Sequence, residues 1–185
     1  MLKQNSLYLG DCIDLFEKVE DHTIDLIFLD PPYNLQLNKV LTRPNHSVVN
    51  GVTQDWDKFD NYASYDEFTL SYLRECKRVL KPDGGLWIIG SYHNIFRIGK
   101  ILQDLNFWIL NDVIWAKSNP LPNFRATRLT NAHETLIWCS KKPKSKYQFN
   151  YHTLKVANED KQAVSYTHLR AHETEADLVC RLLLE

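Results

Sequence analysis

A five-residue run, Asp30-Pro31-Pro32-Tyr33-Asn34, follows directly after the apolar stretch Ile24–Leu29. It places two kinds of hydrogen-bond acceptor side by side, the Asp30 carboxylate and the Pro31 carbonyl. The exocyclic amine of adenine is a poor nucleophile because its lone pair is delocalised into the ring. A carboxylate and a carbonyl that bind its two N–H groups would favour a pyramidal nitrogen, with the lone pair directed at an electrophile. The run therefore predicts an amine-binding site.

The other residues of the run suit the same chemistry. Pro31 and Pro32 fix φ and remove N–H donors, so the turn is stiff and presents acceptors only. Tyr33 offers a flat face to a base that has been extruded from a duplex. The plainer interpretation is a strand-ending turn with a stacking tyrosine. The complete run after an apolar stretch favours the catalytic interpretation, in which Asp30, Pro31, Pro32 and Tyr33 are the candidate catalytic residues.

The elements around this run predict an α/β protein. Short apolar runs predict buried strands at Ile24–Leu29, Leu86–Ile89, Trp108–Trp115 and Leu136–Cys139. Apolar residues at helical spacing predict helices over residues 13–20, 65–80 and 95–105. Alternating strands and helices indicate a mostly parallel sheet with helices on both faces. Ligands of such sheets bind beyond the carboxyl ends of the strands, where the Asp30 run falls.

Composition and charge exclude several classes of protein. The 185 residues fit one domain, and the net charge of -1 does not indicate a protein that only coats nucleic acid. The four cysteines form no C-x-x-C pair, and His133-Glu134 lacks a second histidine, so no metal site is predicted. No signal peptide and no apolar run of about 18 residues is present. We expect a cytoplasmic protein without a membrane segment.

Two polar segments contain residue types that read DNA. Residues 35–60 form a predicted long loop, and basic residues concentrate in residues 117–155, where Glu134 is the single acid. Arginine, asparagine and histidine contact phosphates or base edges, and an aromatic ring can fill the space that a flipped base leaves. Ordinary solvated loops are the alternative. The candidate DNA-binding residues are Arg43, Asn45, His46, Trp56, Arg125, Arg128 and Asn131.

Longer strings around the turn resemble one family. They are DLIFLDPPYNLQL, DWDKFD, LRECKRVLKPDGGLWIIGSYHNIFRIG, LQDLNFWILNDVIWAKSNPLPNF and TNAHETLIW. With the DPPYN run they resemble the β-class amino DNA methyltransferases, in particular the cell-cycle-regulated adenine-N6 enzymes that act at GANTC sites. The resemblance extends from about Leu7 to Gln162.

The resemblance implies a Rossmann-like methyltransferase fold, S-adenosyl-L-methionine as cofactor and double-stranded DNA as partner. A homodimer is one assembly open to such a protein, and restriction-modification is one biological setting. In that family the element that matches Gly10-Asp11-Cys12 helps to hold the adenine of the cofactor. Asp11, Cys12 and Asp30 are therefore implied as cofactor-binding residues. Asp11 would equally suit the N-cap of the helix predicted at 13–20.

One part of the family pattern is missing from the chain. A glycine-rich Asp-Pro-Phe-x-Gly-x-Gly loop completes the family's cofactor site, and this chain contains no Gly-x-Gly. We expect residues 1–162 to be the N-terminal part of a catalytic domain, 163–185 to be an unrelated or disordered tail, and the cofactor-loop half to be missing. The chain is then a truncated, inactive fragment of an adenine methyltransferase. A non-enzymatic nucleic-acid-binding fragment and a cytosine-N4 methyltransferase are the alternatives.

Overall fold

The computed structural model describes residues 2–34, 41–42, 48–49, 57–120, 123 and 127–157. The chain divides into two compact units, Met1–Tyr147 and Gln148–Glu185. The elements of the first unit are α1 (Cys12–Phe16), β1 (Ile24–Leu29), β2 (Leu41–Thr42), β3 (Val48–Val49), α2 (Tyr62–Val79), β4 (Leu80–Gly90), α3 (Ile95–Asp104), β5 (Trp108–Ala116) and β6 (His133–Ser140). The second unit contains α4 (Tyr151–Ala157). Within the described parts of the chain, no helix is long and apolar enough to cross a membrane.

Four strands form the main sheet in the order β1-β4-β6-β5. β1 and β4 are parallel, and β6 is antiparallel to both β4 and β5. Three strands therefore run in one direction, with β6 reversed between two of them. The predicted α/β class is confirmed. Three of the four strands run in the same direction, in line with the predicted mostly parallel sheet. Of the three hydrogen-bonded strand pairs described in this sheet, β1–β4 is parallel and the other two are antiparallel.

The described helices of the first unit cover one face of this sheet, and the expected helices on the other face stay a prediction. Side chains of α2 and α3 share one core cluster with Ile27, Leu86 and Ile137, and Ile13 of α1 packs against it. Crossovers between parallel strands are right-handed. Because β1 to β4 and β4 to β5 both step in the same direction across the sheet, that rule puts α2 and α3 on the same face.

The opposite face of the sheet carries apolar side chains that no described helix of the first unit covers. Strand register places Phe28, Trp87 and Trp138 in one row, and the two indole rings stack 5.2 Å apart. Leu26 and Phe28, which point to this face, are 61% and 59% exposed. The two faces of β1 therefore differ in exposure: Ile27 is buried against the helices, whereas Leu26 and Phe28 are exposed.

Local sequence explains where the elements begin and end. Asn61 caps α2 in a reciprocal capping box with Ser64, so the helix starts before the predicted residue 65. β4 begins at Leu80, earlier than the predicted residue 86, because its pairing with β1 jumps from Ile24–Leu80 to Leu26–Gly85. Gly84 lies in this jump, where a Cβ would come within 3.1 Å of the Asp25 carbonyl oxygen.

The two faces can be compared with one pair of leucine truncations. Leu86 is fully buried beneath the helices, so Leu86→Ala should lower the free energy of unfolding by about 2–5 kcal/mol. Leu26→Ala removes the same atoms from the exposed face and should cost less than about 1 kcal/mol. Urea denaturation of both variants measures the difference. Equal losses would contradict the one-sided core.

Candidate active site

The Asp30–Asn34 turn lies at the carboxyl end of β1, beside the end of β4. β1 finishes at Leu29, and β4 finishes at Gly90 before Ser91 and Asn94 lead into α3. Asp30 is exposed, whereas Pro31, Pro32 and Tyr33 are half-buried and Asn34 is buried. Asn34 has a φ of 50°, in the left-handed region that asparagine tolerates better than most residues.

Two buried side chains hold the Pro32 carbonyl. The Tyr65 hydroxyl donates to it at 3.0 Å, and the Asn94 Nδ2 donates to it at 3.3 Å. Asn94 Nδ2 also donates to the Tyr65 oxygen at 3.2 Å, and Asn94 Oδ1 accepts from the Ser91 N–H at 2.9 Å. Burial raises the pKa of the Tyr65 phenol, so it remains a donor at neutral pH.

A third bond fixes the last residue of the turn. The Asn34 N–H donates to Asp57 Oδ1 at 2.8 Å, and both residues are only 5% exposed. The Asn34 carboxamide is different, because neither its Nδ2 nor its Oδ1 has a partner among the described residues. Sequence reasoning missed Asp57, although it lies within the string DWDKFD, because its partner is 23 residues away.

Tyr33 lies between two carboxylates. Burial, followed by the Asp30 carboxylate and then Glu134, raises the pKa of the Tyr33 phenol well above its usual range. Glu134 pairs with Lys117 at 2.5 Å through Oε1. Its Oε2 is buried without a hydrogen-bond partner in the described part of the chain. The Tyr33 phenol therefore stays protonated at neutral pH.

Asp11 has the capping role that the sequence allowed. Its carboxylate accepts from the Ile13 N–H at 2.8 Å at the start of α1, which spans Cys12–Phe16 instead of 13–20. Asp11 and Cys12 are both exposed. No hydrogen bond among the described residues joins either of them to the Asp30–Asn34 turn. Their role in cofactor binding stays a prediction.

Two of the candidate DNA-binding residues lie in the described part of the chain. Arg128 donates to the Tyr92 hydroxyl at 2.8 Å, and its guanidinium carbon lies 5.5 Å from the centre of that ring. The Tyr92 ring packs 4.0 Å from His93, whose pKa is lowered by burial and then by the Arg128 charge. Asn131 is half-buried just before β6. Outside the described residues lie Arg43, Asn45, His46, Trp56 and Arg125.

Known proteins with this sequence pattern are DNA methyltransferases. The chain is 52% identical over 158 residues to the type II methyltransferase M.HinfI of Haemophilus influenzae, covering 85% of this chain and 44% of that protein. It is 42% identical over 161 residues to M2.MboI of Moraxella bovis, covering 86% of this chain and 58% of that protein. The chain thus spans about half the length of these relatives.

Solved structures share the fold at low identity. The complex of M1.HpyAVI with SAM matches with a TM-score of 0.53 at 21% identity, over 77% of this chain and 58% of that chain. The cytosine-N4-specific PvuII DNA methyltransferase matches with a TM-score of 0.57 at 21% identity, over 80% and 52%. The family model described as DNA methylase, for N6 and N4 methyltransferases, matches residues 24–179. The chain belongs to this N6/N4 DNA methylase family.

Proposed function

We propose that this chain carries the catalytic turn of an S-adenosyl-L-methionine-dependent DNA methyltransferase that modifies the exocyclic amine of adenine. One observation carries the proposal. The Pro32 carbonyl and the Asn34 N–H are occupied by buried side chains, while the Asp30 carboxylate is exposed. No hydrogen bond to the Pro31 carbonyl occurs within the described residues. The Asp30 carboxylate accepts from the Tyr33 hydroxyl but has further lone pairs, so Asp30 and the Pro31 carbonyl can together accept from the two N–H groups of an amine.

These acceptors define the chemistry of this chain's own residues. Asp30 and the Pro31 carbonyl hold the amine so that its lone pair points away from the base plane, and Tyr33 supports the base from its face. The methyl group would be transferred to this nitrogen, and the electron pair of the broken carbon–sulfur bond would remain on the cofactor's sulfur. The amine then loses one proton, which Asp30 is placed to accept. The cofactor would supply the electrophilic methyl group on its sulfonium centre.

The residues present fit a polar cofactor at this edge of the sheet. The buried Asn34 carboxamide, at the end of the turn, has two N–H donors and an oxygen acceptor without partners among the described residues. Asp11 adds an exposed carboxylate, in line with the resemblance. We propose Asp11, Cys12 and Asp30 as the cofactor-binding residues of this chain.

Adenine-N6 transfer at GANTC sites is the finer part of the proposal, and it rests on the resemblance of the long sequence strings. Cytosine-N4 transfer is the alternative within the same family. Tritium-labelled methyl transfer to a GANTC duplex, compared with a duplex whose target adenine is replaced by N6-methyladenine, separates the two. Transfer that persists on the blocked duplex would favour cytosine.

A non-enzymatic DNA-binding role is the second candidate, because these 185 residues contain no Gly-x-Gly. We expect the 185-residue chain to bind the cofactor weakly and not to turn over. A joined protein, in which residues 1–162 are fused to the part of the Haemophilus relative outside the match, should restore transfer. A homodimer, a cytoplasmic location and a restriction-modification setting stay predictions.

Asp30 is the residue whose loss should affect chemistry most. In the joined protein, Asp30→Asn removes the negative acceptor and should lower the single-turnover rate of methyl transfer by roughly 10²–10³-fold. Duplex affinity should change little, because the carboxylate makes no phosphate contact. Rapid-quench assays with tritiated cofactor measure the rate, and fluorescence anisotropy measures affinity.

The matched control is Asp25→Asn, near the start of β1, the strand that Asp30 follows. Asp25 is exposed and pairs with Lys81 at 2.7 Å, away from the turn. It should transfer at the wild-type rate. Near-normal turnover of Asp30→Asn would remove Asp30 from the mechanism.

Arg128 tests whether duplex DNA approaches this edge of the sheet. If its guanidinium contacts a phosphate, Arg128→Met should weaken duplex binding and flatten the dependence of log affinity on log salt by about one unit. Arg74→Met, at an exposed position on α2, changes net charge equally and serves as control. Identical salt slopes in the two variants would exclude Arg128 from the DNA-binding surface.

A further inference from the structure

The Pro32 carbonyl is the fixed point of the turn, and the residues that hold it come from two distant parts of the chain. We propose that Tyr65 and Asn94 are positioning residues for the reaction described above; this inference rests on the proposed function. Their hydroxyl and carboxamide groups take up the Pro32 carbonyl, so that the Pro31 carbonyl and the Asp30 carboxylate are the acceptors left facing the amine.

The three groups form a closed triangle of hydrogen bonds. Tyr65 donates to Pro32, and Asn94 donates both to Pro32 and to the Tyr65 oxygen. Tyr65 and Asn94 are each 1% exposed, so water does not replace either bond. With Oδ1 bound to the Ser91 N–H, both ends of the Asn94 carboxamide are engaged, and its orientation is determined by its neighbours.

The position of Asn94 indicates that this arrangement serves the turn. Asn94 is the N-cap residue of α3, where asparagine normally accepts a hydrogen bond from the first turn of the helix. Its Oδ1 accepts instead from the Ser91 N–H just before the helix, which turns its Nδ2 donor towards Pro32. Gly90 leaves the necessary room, because a Cβ there would lie 2.7 Å from Asn94 Oδ1. The side-chain orientation of Asn94 and the absence of a Cβ at residue 90 therefore both allow the contact with Pro32.

The hydrogen bonds from Tyr65 and Asn94 to the Pro32 carbonyl, which we call the clamp, restrict the turn because few of the turn's torsions are free to change. Pairing of β1 with β4 holds the chain up to Leu29, and the proline rings fix φ at Pro31 and Pro32. The bonds to the Pro32 carbonyl and to the Asn34 N–H hold its other end. If the Pro32 carbonyl is released, the Pro32–Tyr33 peptide is free to turn about ψ of Pro32, and the neighbouring Pro31 carbonyl loses the anchor that helps to hold its direction.

The test uses the whole 185-residue chain with two conservative variants. Tyr65→Phe removes only the hydroxyl and keeps the buried ring, and Asn94→Asp keeps the shape but replaces the Nδ2 donor with an oxygen. Tyr62→Phe is the control, since Tyr62 lies on the same helix with an exposed ring packed against Arg97. Circular dichroism and thermal melts confirm that each variant is folded.

The first readout is spectroscopic and needs no turnover. A ¹³C-detected carbonyl–nitrogen correlation reports the Pro31 and Pro32 carbonyls separately, through the nitrogens of Pro32 and Tyr33. We expect the Pro32 carbonyl signal to move upfield in Tyr65→Phe and Asn94→Asp but not in Tyr62→Phe. Adding 9-methyladenine to the wild type should shift the Pro31 signal and leave Pro32 in place. N6,N6-dimethyladenine, which has no N–H, should shift neither.

The second readout separates positioning from binding. A GANTC duplex with the target adenine intact and 2-aminopurine at the neighbouring position should bind the variants with wild-type affinity by anisotropy. Base capture raises the 2-aminopurine fluorescence. In the variants the equilibrium constant for capture should fall by roughly tenfold, as expected for one lost hydrogen bond of about 1.4 kcal/mol. A structural defect alone would lower duplex affinity in parallel.

The outcomes distinguish the inference from the proposed function. Three observations together would overturn the positioning role: base capture by the wild type, an unchanged Pro32 signal in both variants, and full base capture in both variants. The proposed function would still stand. A wild type that captures no base and shows no response to 9-methyladenine would count against the proposed function. In that case an unchanged Pro32 signal in the variants would also refute the clamp, and an upfield shift would leave it as a structural feature without a catalytic role.

Discussion

One backbone carbonyl connects the fold of this chain to its chemistry. The Pro32 oxygen accepts from Tyr65 on α2 and from Asn94 at the start of α3, so its position depends on how both helices pack against the sheet. Those helices are held by the shared core beneath them, which includes Leu86 and Ile88. The packing of the helices on the core therefore sets the direction of the Pro32 carbonyl, although Tyr65 lies 33 residues away in sequence. In the proposed mechanism, the orientation of the Asp30 and Pro31 acceptors depends on this carbonyl.

The turn follows a strand that the described helices of the first unit cover on one face only. β1 is an edge strand, and its Phe28 side chain is exposed two residues before Asp30. An edge strand with exposed apolar side chains is a place where another element or a partner can pack. The same strand thus combines a rigid contact with the core through Ile27 and an open apolar face. Because the site residues follow this strand directly, the rigid side determines their geometry.

The sequence predicted the elements best where two local signals agreed. Ile24–Leu29 matches the observed β1 residue for residue, because an apolar run ends at two prolines that cannot continue the ladder. Ends were less accurate where a side chain decided them, as at the Asn61 capping box. Asp57 and Asn94 were missed because their partners are 23 and 62 residues away, and only the folded chain brings them together. The second layer of helices was expected from the fold class, but crossover handedness assigns both described crossovers to one face.

The central claim is that Asp30 and the Pro31 carbonyl are the two acceptors that receive the amine. The most direct test is a crystal structure of the joined protein with a GANTC duplex and a non-reactive analogue of the cofactor. In that structure we expect the target adenine outside the duplex, with its N6 within hydrogen-bond distance of the Asp30 carboxylate and the Pro31 oxygen, and with Pro32 still bound to Tyr65 and Asn94. An amine held by other groups, or by the Pro32 oxygen instead, would contradict it.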